Sequence, residues 1–169
     1  MKIVHVWDIT TKTWFAQSTT AEAGLYPYDD DETFTYDMID IAGTGYCSVV
    51  ASAEDNSSHN IYLYIFSWDI GRSRLFILTL PAFHWVSVYE APEYDYQSPE
   101  GGQCRKVHEK HMVVYRGKSR NGCDYEKNSK RFQGMAIYDM SSLTWTTKVE
   151  LKNPKYLVPE VLHAIIGGK

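Results

Sequence analysis

Val4-His5-Val6-Trp7-Asp8-Ile9, followed by Trp14, is the first of three stretches that align without a gap. The others are Leu75-Phe76-Ile77-Leu78-Thr79-Leu80 with Trp85, and Met135-Ala136-Ile137-Tyr138-Asp139-Met140 with Trp145. In each, the tryptophan stands ten residues after the first apolar residue. Thr10-Thr11-Lys12-Thr13, Pro81-Ala82-Phe83-His84 and Ser141-Ser142-Leu143-Thr144 fill the intervals. An apolar run, a short polar turn and a strand opening on tryptophan make a β-hairpin, and its recurrence makes the architecture repetitive. Any specialised role then belongs to what differs between copies.

Working outward, Ile3–Trp7 and Thr13–Gln17 form the first hairpin, around a turn from Asp8 to Lys12. Ser18 to Ala42 holds Gly24, Pro27 and the run Asp29-Asp30-Asp31-Glu32, and reads as a long acidic loop. Tyr46–Ala53, Asn60–Phe66, Arg74–Leu80 and Trp85–Tyr89 give a four-stranded unit, with the turn cluster Glu54-Asp55-Asn56-Ser57-Ser58 after its first strand. Glu90 to Gln103 is a second acidic, proline-containing loop. Cys104–His108, His111–Tyr115, Phe132–Tyr138 and Trp145–Val149 repeat the plan. Gly102-Gln103-Cys104 takes the place that Gly45-Tyr46-Cys47 holds one unit earlier. The tryptophans are 71 and 60 residues apart, against about 50 for a four-stranded propeller blade of this kind, so both intervals carry insertions. In the tail, Val158, Val161, Leu162, Ile165 and Ile166 recur at helical spacing. Pro159 stands at the start and Gly167 at the end, which predicts one short amphipathic helix against the sheet edge.

The expected organisation is therefore a last blade hairpin over 1–17, whose first two strands would precede Met1, and an acidic insertion over 18–42. Blades over 43–90 and 91–150 follow, then a helical tail over 151–169. The 169 residues suffice for one core. Thirteen tyrosines and five tryptophans suit half-buried sheet surfaces. A net charge of -4 argues against nucleic acid as a partner. The most basic stretch, Lys118 to Arg131, mixes in Asp124 and Glu126 and reads as a solvated loop. No run is apolar enough to span a membrane, and Met1-Lys2-Ile3-Val4 enters the first repeat directly, leaving no room for a secretory signal. Among three cysteines, the expected bridge in an oxidising compartment is Cys104 with Cys123, which a hairpin could bring together. Buried free thiols are the alternative.

Trp7-Asp8-Ile9 with Trp14, Asn56-Ser57-Ser58-His59-Asn60-Ile61-Tyr62, Cys123-Asp124-Tyr125-Glu126 and Ala136-Ile137-Tyr138-Asp139 through Trp145 carry a resemblance to kelch repeats. They resemble in particular fungal kelch-domain cell-surface proteins of the galactose-oxidase-like propeller superfamily. The resemblance implies an all-β fold: a partial kelch-type β-propeller of four-stranded antiparallel blades, about two and a half of them, with a short C-terminal helix. It also implies a secreted or cell-surface parent. The chain departs from the family where a Gly-Gly pair follows the second strand. Ile65-Phe66 and Arg116-Gly117 stand there instead. Kelch propellers close with more blades than this chain offers, so a truncated relative with unpaired sheet edges, prone to self-association, is expected.

The chemistry-bearing residues are few. His108-Glu109-Lys110-His111 has the wrong spacing for a helical zinc pair and reads as a surface turn. Asp8 and Asp139 end equivalent strands and read as turn caps. Trp14, Trp85 and Trp145 read as core or inter-blade packing residues. No copper ligand of the galactose-oxidase kind is assigned to any residue, and no cofactor is expected. The expected role is a non-enzymatic binding module whose loops contact a protein or a glycan. The chosen loops are Tyr26–Asp31, Tyr89–Tyr96 and Arg120–Lys127, with Tyr26, Tyr28, Tyr94, Tyr96, Arg120 and Tyr125 as contact residues. Asn56 opens an N-glycosylation sequon on a turn. A copper-radical oxidase, and a remnant without autonomous function, are the alternatives.

Overall fold

In the computed structural model, the described residues are 2–21, 45–66, 74–88, 102–115, 135–152 and 155–166. They form ten strands and one helix. The first hairpin is β1 (Lys2–Asp8) and β2 (Thr13–Ala21). The second unit is β3 (Gly45–Ser52), β4 (His59–Phe66), β5 (Arg74–Leu80) and β6 (His84–Val88). The third is β7 (Gln103–Val107), β8 (His111–Tyr115), β9 (Met135–Asp139) and β10 (Thr144–Thr146). Helix α1 spans Glu160–Ile166. The second and third units are antiparallel meanders, as the repeat implies. The architecture is all-β, two four-stranded antiparallel units and a further hairpin, with a short C-terminal helix.

Each of the five described hairpin turns holds one non-glycine residue in the left-handed region: Lys12, Asn56, Phe83, His108 and Leu143, with φ between 51 and 57°. That conformation reverses the chain with the twist a hairpin needs, at a cost of about 1–2 kcal/mol for a side chain with a Cβ. The first and last turns are near copies. Asp8 Oδ1 accepts from Thr10 N at 2.7 Å and Thr11 N at 3.2 Å. Asp139 Oδ1 accepts from Ser141 N at 2.9 Å and Ser142 N at 3.2 Å. The aspartates cap turns, as their repeat position predicts. These backbone donors, Thr11 first, hold the Asp8 carboxyl below its ordinary value.

The first hairpin does not end where the sequence reading placed it. β2 runs on through Ser18–Ala21, residues read as the start of a loop. Its last residues pair in parallel with β6, Thr20 opposite His84 and Ala21 opposite Trp85. Thr20 N donates to Phe83 O at 3.1 Å, and its hydroxyl lies 2.7 Å from His84 Nδ1. Two consecutive threonines favour extended backbone, and a free sheet edge supplies the partner. The result is a six-stranded sheet ordered β1-β2-β6-β5-β4-β3, beside a four-stranded sheet ordered β10-β9-β8-β7.

Residues paired directly across a sheet share a face, so the register divides each unit into two faces. In the second unit Val49, Tyr62, Ile77 and Val86 lie in one row, and Cys47, Tyr64, Leu75 and Val88 in the next. This is its forward face. In the third unit Met112, Tyr138 and Trp145 form one row, and Cys104, Val114 and Ala136 another. This is its rear face. The hydrophobic core joins the forward face of the second unit to the rear face of the third, and Tyr156, Leu162, Val158, Val161 and Ile165 of the tail close it. The tail thus seals the inter-unit core instead of lying on a sheet edge. Pro159 O accepts from Leu162 N and His163 N at 2.9 and 3.1 Å, which starts α1.

Candidate interaction site

The expected bridge is corrected by the structure. Cys104 bonds to Cys47, with Cα atoms 5.6 Å apart, and Cys123 lies outside the described residues. The reason is register. Tyr64 pairs with Leu75, and Tyr115 pairs with Met135, the residue aligned with Leu75. Cys47 stands opposite Tyr64, but Cys104 stands opposite Val114, one step from Tyr115. One residue of offset turns a strand side chain to the other face. Cys47 therefore points forward from its unit and Cys104 backward from the next, and the two meet. With 57 residues of separation, such a link stabilises by about 4 kcal/mol on loop-closure entropy.

Above the disulfide, polar side chains thread the core. Tyr62 OH donates to Met140 O at 2.7 Å, which uses its single proton. Tyr156 OH, 3.0 Å away, must then donate to Tyr62, and it accepts from Asn60 Nδ2 at 2.9 Å. The chain Asn60–Tyr156–Tyr62–Met140 ties the second unit, the tail and the third unit in one direction. Burial raises the Tyr62 phenol well above its ordinary value and pushes Tyr156 up to about 12. Tyr62 meets Tyr156 edge-on with ring centroids 6.3 Å apart. Trp145 packs on Tyr64 at 5.7 Å and Tyr138 at 5.0 Å.

At the same end of the third unit, the segment read as a surface turn is only half exposed. His108 and Glu109 face solvent, whereas Lys110 and His111 are buried. Lys110 Nζ lies 3.3 Å from Asp139 Oδ2 and also pairs with Glu150. The Glu150 contact, opposed by burial and reinforced by Asp139, holds the lysine above its ordinary value. His111 Nε2 is 3.8 Å from Asp139 Oδ2 and accepts from Glu150 N at 3.5 Å. Burial holds its imidazole below the ordinary value despite Asp139. Neither burial was legible from the sequence, which places both residues beside a turn. Their signal is the aspartate that caps the neighbouring turn.

Asn56 is exposed at the tip of the β3–β4 turn with φ 57°. Tyr26, Tyr28, Tyr94, Tyr96, Arg120 and Tyr125 lie outside the described residues. Among the described residues, no group of three or more His, Cys, Asp or Glu could hold a metal ion, and no helix is long and apolar enough to cross a membrane.

Trp14 also departs from the sequence reading. Trp145 is packed in the core, but Trp14 is 66% exposed, as are the flanking side chains Ile3, Trp7 and Phe15 in large part. Trp7 and Trp14 stack on each other, with centroids 5.3 Å apart.

No family model and no solved structure matches the chain significantly. It is similar to a protein described as kelch repeat-containing, from the fungus Arthroderma benhamiae. The two are 24% identical over 195 aligned positions, which take in 99% of this chain and 26% of that protein. The chain thus spans about a quarter of the length of that relative, and the likeness agrees with the blade architecture.

Proposed function

We propose that this chain is a non-enzymatic interaction module whose loops contact a protein or a glycan. One observation carries the reading: the chemically distinctive side chains of the repeat are taken up by the fold. Asp8 and Asp139 cap turns, Trp145 and Tyr138 fill the core, and Tyr62 and Tyr156 hold the units together. The segments that differ between units, 26–31, 89–96 and 120–127, carry tyrosine and charge, the residue types suited to recognition surfaces. The kelch repeat-containing relative supports the same reading.

The inter-unit disulfide supports an oxidising, secreted or cell-surface setting. In that setting exposed Asn56 is the residue to carry a glycan.

The test is a glycan array and a panel of purified surface proteins probed with the chain and with Tyr94→Ala/Tyr96→Ala. Binding weakened at least tenfold, with an unchanged circular dichroism spectrum, is expected. Equal binding of an identified ligand by the double variant would remove that loop from the site.

A further inference from the structure

The sequon Asn56-Ser57-Ser58 is split by the fold. Asn56 is exposed, whereas Ser58, whose hydroxyl completes the acceptor signal, is fully buried. The turn that carries them is closed by its backbone. Asn56 N donates to Ala53 O and Ala53 N to Ser58 O, each at 3.0 Å, and Ser57 N donates to Asp55 Oδ1 at 2.9 Å. Ser58 continues the buried alternation of Asn60, Tyr62 and Tyr64, so its side chain turns inward with theirs. The tail reaches that face where Asn60 bonds Tyr156, 96 residues further along the chain. Lys155 of the tail also holds the turn, through Glu54 at 2.6 Å. The buried hydroxyl itself gains nothing from the fold. Ser58 Oγ meets no hydrogen-bonding partner among the described residues, and a buried polar group without one costs stability. A hydroxyl at this position has its use in a chain that is still open.

We infer, resting on the secreted, glycan-bearing reading above, that Asn56 receives its glycan before the β3–β4 hairpin closes, and that closure ends its reactivity. The donor is an oligosaccharide linked to a lipid pyrophosphate. The Asn56 amide nitrogen bonds to the anomeric carbon of the first sugar and gives up one proton. The bond from that sugar to the pyrophosphate breaks, and the pyrophosphate leaves with the electron pair. A transferase must reach the Ser58 hydroxyl together with the Asn56 amide, and in the closed hairpin the hydroxyl is sealed. Asn56 itself faces solvent, so the attached glycan does not obstruct later closure. Chain order opens the window, because the sequon is made long before the tail residue that bonds Asn60.

A purified N-glycosylation transferase with its lipid-linked donor tests this on the unglycosylated full chain, either folded or unfolded by reduction and alkylation. Peptide mapping is expected to find the glycan at Asn56 of the open chain. The folded chain, which must first open locally, is expected to react about a hundredfold more slowly. Equal modification of both would overturn the inference and leave Asn56 a glycan site. Modification of neither would overturn the glycan reading as well. Should the alkylated chain keep a β-sheet spectrum, a peptide of residues 51–62 serves as the open substrate. Ser58→Ala is expected to abolish modification of the open chain with no loss in the melting temperature of the folded one. A marked loss would show that the hydroxyl serves the fold, and would overturn its assignment to the transfer step.

Discussion

The β1–β2 and β9–β10 hairpins are one sequence motif used twice, with opposite outcomes in packing. Their turns are alike down to the capping aspartate, the hydroxyl pair and the left-handed residue. Thr11 and Thr13 hydroxyls lie 2.8 Å apart, and Ser142 and Thr144 hydroxyls 2.7 Å apart. Yet Tyr138 is fully buried while Trp7 is exposed, and Met140 is fully buried while Ile9 is exposed. The difference lies outside the hairpins. The forward face of the second unit covers the rear of β9–β10. The rear of β1–β2 has no such cover among the described residues. Hairpin conformation is thus a local property, whereas a hairpin's contribution to stability belongs to its neighbour.

The largest expected effect tests that statement at aligned positions. Tyr138→Ala should cost about 4 kcal/mol in urea unfolding, because it empties a filled core site. Trp7→Ala should cost less than about 1 kcal/mol. Equal losses would mean that the first hairpin is as deeply packed as the last.

The capping aspartates come next. Both hold a turn, but only Asp139 also meets Lys110, and that pair is largely shielded from water. Asp139→Asn should therefore destabilise by about 2 kcal/mol, and Asp8→Asn by clearly less. A double-mutant cycle between Asp139 and Lys110 that returned no coupling would remove the ion pair as the cause.

A smaller effect of opposite sign is expected at the left-handed residues. Lys12→Gly relieves the Cβ cost at an exposed site and should stabilise by about 1 kcal/mol. Leu143 has the same φ of 56°, but its side chain packs on the core. Leu143→Gly should therefore give no gain. Similar melting-temperature shifts for the two would show that the turns, and not their surroundings, set the outcome.

The smallest effect is a pH dependence confined to the third unit. His111 faces Asp139, Lys110, His108 and Glu150. Burial depresses its folded-state value, so below about pH 6.5 the unfolded chain binds the proton more readily than the folded one. The stability associated with neutral His111 is complete above that pH and declines as pH falls through the window beneath it. His111→Asn, which installs the side chain that Asn60 presents at the aligned position of the second unit, should flatten the thermal-stability profile between pH 5 and about 6.5. An unchanged slope would assign the titration to other groups.

The legible part of the fold was its local part. Strand identity followed from alternation and β-branched runs, turn position from Asp8 and Asp139, and the helix from the spacing of Val158, Val161, Leu162 and Ile165. The three tryptophans look equivalent in sequence and are not equivalent in space, since nothing near Trp14 in the chain shows what stands against it. Cys47 and Cys104 sit in matching Gly-x-Cys triplets that suggest equivalence, yet a register offset of one residue puts them on opposite faces and lets them bond. Lys110 and His111 look like turn residues because the strand that covers them, β9 with Asp139, lies far along the chain.

By itself, the sequence determined that this protein is a repeat of antiparallel hairpins with a helical tail, because turn chemistry and side-chain alternation act over a few residues. Only the tertiary structure decided which copy of the hairpin is buried, which cysteines bond and where the tail docks. Those outcomes depend on which faces meet, and a face is defined by pairing register and by partners tens of residues away.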